Sequence, residues 1–246
     1  MNPNFGFPTG NKDVDLFLLS RLENQDLLNT LSLATKNKLI YKYLNDETFW
    51  RNRFLKKYPG DFEFVQKNKI NTWKDFSLLL IKYLDLAKRD YEEGRRLFIS
   101  NIWNETIYTA SKEGQKDLID FFIFKGANSW DWAMASAAQG GHRDLVDFFI
   151  SQGAYDWDIG MYGAAGGGHR DLVDFFISQG ADNWNWAMNA AAGGGHRDLV
   201  DFFISQGADN WNWAMKEAEN GNHQDLIELF KSKIQDKKKR KQRRRK

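Results

Sequence analysis

The chain has 246 residues, 42% hydrophobic and 15% aromatic, enough to bury a core, and it lacks cysteine, which excludes disulfides and thiolate metal sites and fits a reducing compartment. Its longest apolar runs, such as Leu78 to Ile81, fall far short of a bilayer span, so no membrane partner is expected. The net charge of +2 is unevenly spread: nine of the 35 basic residues lie between Lys237 and Lys246, whereas residues 130–210 hold three arginines against eleven aspartates.

Residues 1–12 hold Pro3, Gly6, Pro8 and Gly10 with no periodic apolar face, and read as a disordered lead-in. They contain neither a basic n-region nor an apolar h-region, so no signal peptide is expected, and the protein is placed inside the cell, in the nucleus, the cytoplasm or both. From Asp13 a helical pattern begins. Leu16, Leu18, Leu19 and Leu22, then Leu27, Leu28, Leu31 and Leu33, recur at the spacing of one buried face, and Asp26 is placed to cap the second helix. A third helix carries Leu39, Ile40, Tyr43 and Leu44. A fourth, after Asn45 and Asp46, carries Phe49, Trp50, Phe54 and Leu55 and stops at Pro59 and Gly60.

This bundle, residues 13–60, resembles an F-box. The leucine-rich first helix, the Asp26-Leu27-Leu28 step, the basic-aliphatic helix from Lys36 to Leu44 and the closing Asp46-Glu47-Thr48-Phe49-Trp50-Arg51-Asn52-Arg53-Phe54 carry the likeness. The family's opening Leu-Pro is absent, with Asp13, Val14 and Asp15 in its place. The resemblance implies docking to a Skp-type adaptor in a cullin-based ubiquitin ligase, with Leu16, Leu19, Asp26, Leu27, Leu28 and Trp50 as the adaptor-binding residues.

Residues 61–102 read as a helical connector, in which Trp73, Phe76, Leu79, Leu80, Tyr83 and Leu84 trace an apolar stripe. Beyond it the chain repeats. GGHRDLVDFFISQGA occurs three times without change, at 140–154, 167–181 and 194–208, and looser versions flank it, so that five 27-residue units are expected: 103–129, 130–156, 157–183, 184–210 and 211–237. In the fourth, Trp186, Ala187, Met188 and Ala190 to Ala192 form a short first helix that Gly193 to Gly195 stop. His196 opens a second helix with an apolar face of Leu199, Val200, Phe202, Phe203 and Ile204. Arg197 and Asp201 are spaced to pair, and Gly207 supplies a left-handed stop. Neither helix is long enough to stand alone, so the units are expected to stack, giving an all-α chain.

The second helix and its flanks resemble the ankyrin repeat: Ala191, Ala192, Gly195, His196, Leu199, Val200, Phe203, Ile204, Gly207, Ala208 and Asp209 fall on that family's pattern. Ankyrin units are about six residues longer. The missing residues fall between Asp209 and Trp213, where the family has its projecting hairpins. The resemblance implies an ankyrin-like α-solenoid whose first helices line the binding face.

Four candidate features remain. His142, His169, His196 and His223 invite a metal reading, but equivalent positions in stacked units lie about 8–10 Å apart, too far to share an ion that holds its ligands at about 2 Å, and a structural role at the helix start is expected. Trp130, Trp157, Trp184 and Trp211 form one row, and Trp132, Trp186 and Trp213, interrupted by Ile159, a second; packing is the simpler account of both, peptide or base binding the other. The first helices vary where the second helices do not, at Ala135, Tyr162, Asn189 and Lys216 and in the turn at Tyr155, and both a partner-binding surface and drift after duplication fit this variation. The basic run Lys237, Lys238, Lys239, Arg240, Lys241, Arg243, Arg244, Arg245 and Lys246, which starts on the last residue of the array and fills the 238–246 tail, is too charged to pack and reads as a nuclear-import signal met by an importin, a nucleic-acid arm, or a solvated cap on the stack.

No catalytic constellation, cofactor motif or metal set stands out, and the glycine runs at 166–168 and 193–195 follow no strand, so no enzymatic activity is expected. The combined expectation is an interaction adaptor that docks a Skp-type protein through residues 13–60 and a target protein through the first helices. The pairing of an F-box with near-identical ankyrin units is similar to proteins of large DNA viruses, which implies a host-cell target.

Overall fold

A computed structural model describes residues 45–58, 61, 64, 70, 72–92 and 102–243. Among them all regular structure is helical, in twelve helices, and no helix is long and apolar enough to cross a membrane. The chain forms two compact units, Met1–Phe98 and Ile99–Lys246. The helices expected over residues 13–44, and with them Leu16, Leu19, Asp26, Leu27 and Leu28, lie outside the described residues, as do Arg244 and Arg245.

In the first unit, α1 (Glu47–Lys57) starts where Asp46 predicts it: the Asp46 carboxylate accepts the N–H groups of Thr48 and Phe49 at 2.9 and 3.2 Å. The buried face of α1 is Phe49, Trp50, Arg53 and Phe54. Phe54 sits 5.4 and 5.5 Å, ring centre to ring centre, from Trp73 and Phe76 of α2 (Trp73–Glu92). Glu47 joins the two helices a second way, since its carboxylate accepts the N–H groups of Trp73 and Lys74 at the α2 N-terminus, where helix polarity favours a negative charge. Trp50 is 0% exposed and packs edge-on against Phe49. It is a buried residue of this unit.

The second unit contains five helix pairs: α3 (Ile102–Lys112) with α4 (Lys116–Phe124), α5 (Trp130–Gln139) with α6 (Arg143–Ser151), α7 (Trp157–Gly167) with α8 (Arg170–Gln179), α9 (Trp184–Gly194) with α10 (Arg197–Ser205), and α11 (Trp211–Asn220) with α12 (Gln224–Arg243). The first helices α3, α5, α7, α9 and α11 pack on one another in sequence, and each second helix packs on its own first helix. Residue size explains the difference. First helices bury Ala133, Ala137, Ala138, Gly163, Ala164, Ala187, Ala191 and similar small residues, so backbones come close: a methyl group built on Gly163 would lie 2.0 Å from the Ala135 carbonyl oxygen. Second helices bury Leu145, Val146 and Phe149 and their equivalents. Each unit is therefore thin on the first-helix side and thick on the other.

The unchanging stretch GGHRDLVDFFISQGA supplies the joints between units. Its first glycine lets backbones meet, since a Cβ at Gly140, Gly167 or Gly194 would fall 2.1, 2.2 or 2.4 Å from a carbonyl oxygen of the preceding unit. Its second glycine has φ of +77°, +79° and +76° at Gly141, Gly168 and Gly195, and the following unit's imidazole lies where a side chain would project. The histidine is at the cap position of the second helix, as expected, but it caps the neighbour instead of its own helix. Nε2 of His142, His169, His196 and His223 donates to the carbonyl oxygens of Lys112, Gln139, Gly166 and Gly193 at 3.0, 3.2, 3.2 and 3.1 Å. Those carbonyls lie in the last turn of a first helix and have no intrahelical partner. Because a carbonyl only accepts, the bond also fixes the proton on Nε2. On the outer side, Arg143 and Arg170 pair with Asp147 and Asp174 in their own helices while stacking 3.8 Å above Phe175 and Phe202 of the next unit. The paired spacing of Arg197 and Asp201 likewise closes at 2.9 Å, and Gly207 takes its left-handed φ of +105°.

A second joint lies at the start of each first helix. Oδ1 of Asp131 accepts the N–H groups of Tyr155 and Asp156 at 2.8 and 2.9 Å, Asp158 those of Asp182 and Asn183 at 2.9 Å, and Asn185 those of Asp209 and Asn210 at 2.9 Å. Asn104 holds the N–H of Asn128 in the same manner. Each amide or carboxylate thus secures the turn that leads into the next unit.

The basic run is helical as far as Arg243, continuing α12 without a break. Sequence reading makes this run too charged to pack; Lys238 and Lys239 are indeed exposed, but Lys237 folds back, with Nζ 2.7 Å from Asp209 Oδ2 and 4.9 Å above the Trp211 ring.

Candidate interaction surface

The two tryptophan rows separate. Successive residues on an α-helix are about 100° apart, so rows two residues apart point about 200° from each other and cannot both face the core. Trp130 and Trp184 stack on Phe149 and Phe203 of their own second helices, each at 6.4 Å. Trp132 and Trp213, of the second row, are 45% and 57% exposed. Packing accounts for the first row and not for the second, and the angular argument distinguishes them from sequence alone.

Trp132 and Trp186 belong to units two apart, yet their rings meet edge to face at 6.4 Å, with Ile159 at the equivalent position of the unit between. Tyr162 lies against Trp186 at 4.9 Å. These three rings form a continuous strip across units 130–156, 157–183 and 184–210. Trp213 continues the Trp row into the last unit, and Tyr155, 74% exposed, projects from the turn before Trp157. Glu217 approaches the strip from the other end: burial first, and the Glu217 carboxylate second, hold the Tyr162 phenol above its ordinary value.

The sequence-predicted first-helix residues are not equivalent in space. Ala135 is buried and its carbonyl is the surface on which Gly163 rests. Asn189 is only 5% exposed, and its Oδ1 is buried without a hydrogen-bond partner, an arrangement that costs about 1–3 kcal/mol in the free protein. Tyr162 is half-buried in the aromatic strip, and Lys216 and Tyr155 are exposed. The accessible candidates from the predicted set are thus Tyr162, Lys216 and Tyr155, to which the structure adds Trp132, Trp186 and Trp213.

The edge beside this strip is acidic. Asp131, Asp156, Asp158 and Asp182 cluster at the turns and first-helix starts, tied there by the bonds of the second joint. Among the described residues no cation pairs with any of the four, whereas Asp209, the equivalent of Asp182, is taken by Lys237. The glycine runs 166–168 and 193–195 end first helices, with Gly167, Gly168, Gly194 and Gly195 against imidazole rings, and do not form phosphate loops. Compared with protein families and with curated proteins, the chain matches none.

Proposed function

We propose that the chain is a protein-interaction adaptor whose second unit holds a target protein on the first-helix side of an ankyrin-like array. One observation carries this reading: the strip Trp132, Tyr162 and Trp186 lies on the variable helices, with Trp132 45% exposed and the other two half-buried, while the invariant Gly-Gly-His-Arg steps are used in joints between units. Aromatic side chains supply much area at small entropic cost and are the usual anchors of protein interfaces. The F-box-like sequence of residues 13–60 supports a further step, recruitment of a Skp-type adaptor and through it a cullin-based ubiquitin ligase, and the combination supports a protein of a large DNA virus acting on a host target. The exposed lysines at the end of α12 suit an importin or a nucleic acid, and the acidic edge of the array disfavours a nucleic acid tracking along it.

Pull-down from cells tests the two halves separately. Full-length protein is expected to capture a Skp-type adaptor and a target. Removing residues 1–60 is expected to lose the adaptor and keep the target, and Trp186→Ala with Tyr162→Ala to do the reverse. Absence of any Skp-type protein from the full-length capture refutes the ligase half.

A further inference from the structure

Lys237 shows what the acidic edge can do. Its ammonium sits on a turn aspartate, Asp209, and above the tryptophan that opens the same first helix, Trp211. The preceding unit presents the same pair, Asp182 and Trp184, with Asp158 bonded to the Asp182 N–H, but no cation of the chain pairs with Asp182 or Asp158 among the described residues. One unit earlier the equivalent of Asp182 is Tyr155, and the carboxylate there belongs to the next residue, Asp156, which caps α7 by accepting the Ile159 N–H at 3.1 Å while Asp131 holds the Asp156 N–H. A pair of aspartates thus stands at each of the two turns before the one that Lys237 fills, Asp158 with Asp182 in the same register as Asp209, and Asp131 with Asp156 shifted by one residue.

Resting on the reading above, we propose that this edge binds an extended segment of the target protein that carries lysine or arginine at every third residue. The spacing follows from geometry. Packed helices lie about 8–10 Å apart, and the close approach at Gly163 favours the lower end of that range. An extended or polyproline chain advances about 3.1–3.4 Å per residue, so three residues match one unit. The cationic heads meet Asp131 with Asp156, then Asp158 with Asp182, and the intervening residues lie along Trp132, Tyr162 and Trp186. The eleven aspartates against three arginines over residues 130–210 complement such a partner in overall charge.

The joint itself provides the test. Asn185 performs with a neutral amide the same bonding that Asp158 performs with a carboxylate, so Asp131→Asn and Asp158→Asn remove charge and keep the joint. The probe is a labelled peptide with arginine at every third residue among serine and proline, and its partner the same composition with the arginines consecutive, both read by fluorescence anisotropy on the full chain. The spaced peptide is expected to bind at least tenfold tighter than the clustered one. It should lose at least tenfold to the triple variant Asp131→Asn, Asp158→Asn and Asp182→Asn, and be unaffected by Asp144→Asn with Asp171→Asn on the second helices. Equal affinity for the two peptides, or equal loss in both variants, overturns the proposal in favour of unspecific charge attraction. A concentration-dependent dimer that disappears when residues 237–246 are removed names a second copy's basic helix as the occupant and also overturns it. If the aspartate variant retains target capture that Trp186→Ala with Tyr162→Ala abolishes, the cationic chemistry fails while the protein-binding reading stands. If neither variant alters capture, that reading fails as well.

Discussion

Single atoms decide much of this array. A methyl group at residue 163 has no room, because the obstacle is the Ala135 backbone carbonyl and not a flexible side-chain end. Gly163→Ala must therefore push α5 and α7 apart, and a loss of roughly 1–3 kcal/mol is expected in urea unfolding; Gly166→Ala on the same helix, whose nearest neighbours are 3.6 Å away, serves as the tolerant control. Tyr162 offers a second reading at this scale. Its phenol is held above the ordinary value by burial and by Glu217, so the folded protein favours the neutral form. The stability this contributes is full below the unfolded phenol's pKa and is lost as pH rises through the higher folded value. An ultraviolet titration compared with Tyr162→Phe is expected to show this phenol ionising after free tyrosine, and Glu217→Gln to bring it earlier.

Elements are joined by polar bonds that reach from one helix pair into the next, and these can be weakened one by one. His169→Ala strands the Gln139 carbonyl at a helix end and is expected to cost about 1 kcal/mol, whereas Asp158→Asn leaves the melting temperature nearly unchanged and Asp158→Ala lowers it, since only the last frees two backbone N–H groups. Differential scanning calorimetry of the three variants separates these outcomes. The spacing of Leu199, Val200 and Phe203 made the second helices legible, because apolar periodicity reports which face is covered. The role of the histidines was legible only in part. Sequence places them at helix starts, but their acceptors are 30 residues earlier in the chain, and no local pattern reveals a bond across that distance. The same holds for the Trp132, Tyr162 and Trp186 strip: spacing on the helix separates inward from outward tryptophans, but contact between rings of different units depends on how far each side chain leans along the stack.

At the scale of the whole second unit, the joints repeat with the period of the sequence, so a stack can be shortened by one period. Deleting residues 157–183 joins Asp156 to Trp184 and brings the His196 ring to the carbonyl that His169 now meets. The shortened chain is expected to melt cooperatively, at a lower temperature and with a smaller urea m-value in proportion to the surface no longer buried. A chain that instead loses helical circular dichroism altogether shows that the units are less interchangeable than their joints.

The turn-holding position at the start of each first helix reads Asn104, Asp131, Asp158, Asn185 along the chain: neutral, negative, negative, neutral. Architecture is indifferent to which of the two is present, since either oxygen accepts the same backbone bonds. Each such residue is consequently a free binary character, and a single-nucleotide exchange between aspartate and asparagine can rewrite the charge pattern of the edge without disturbing a helix. An array of this kind can change what it recognises far more readily than it can change its shape.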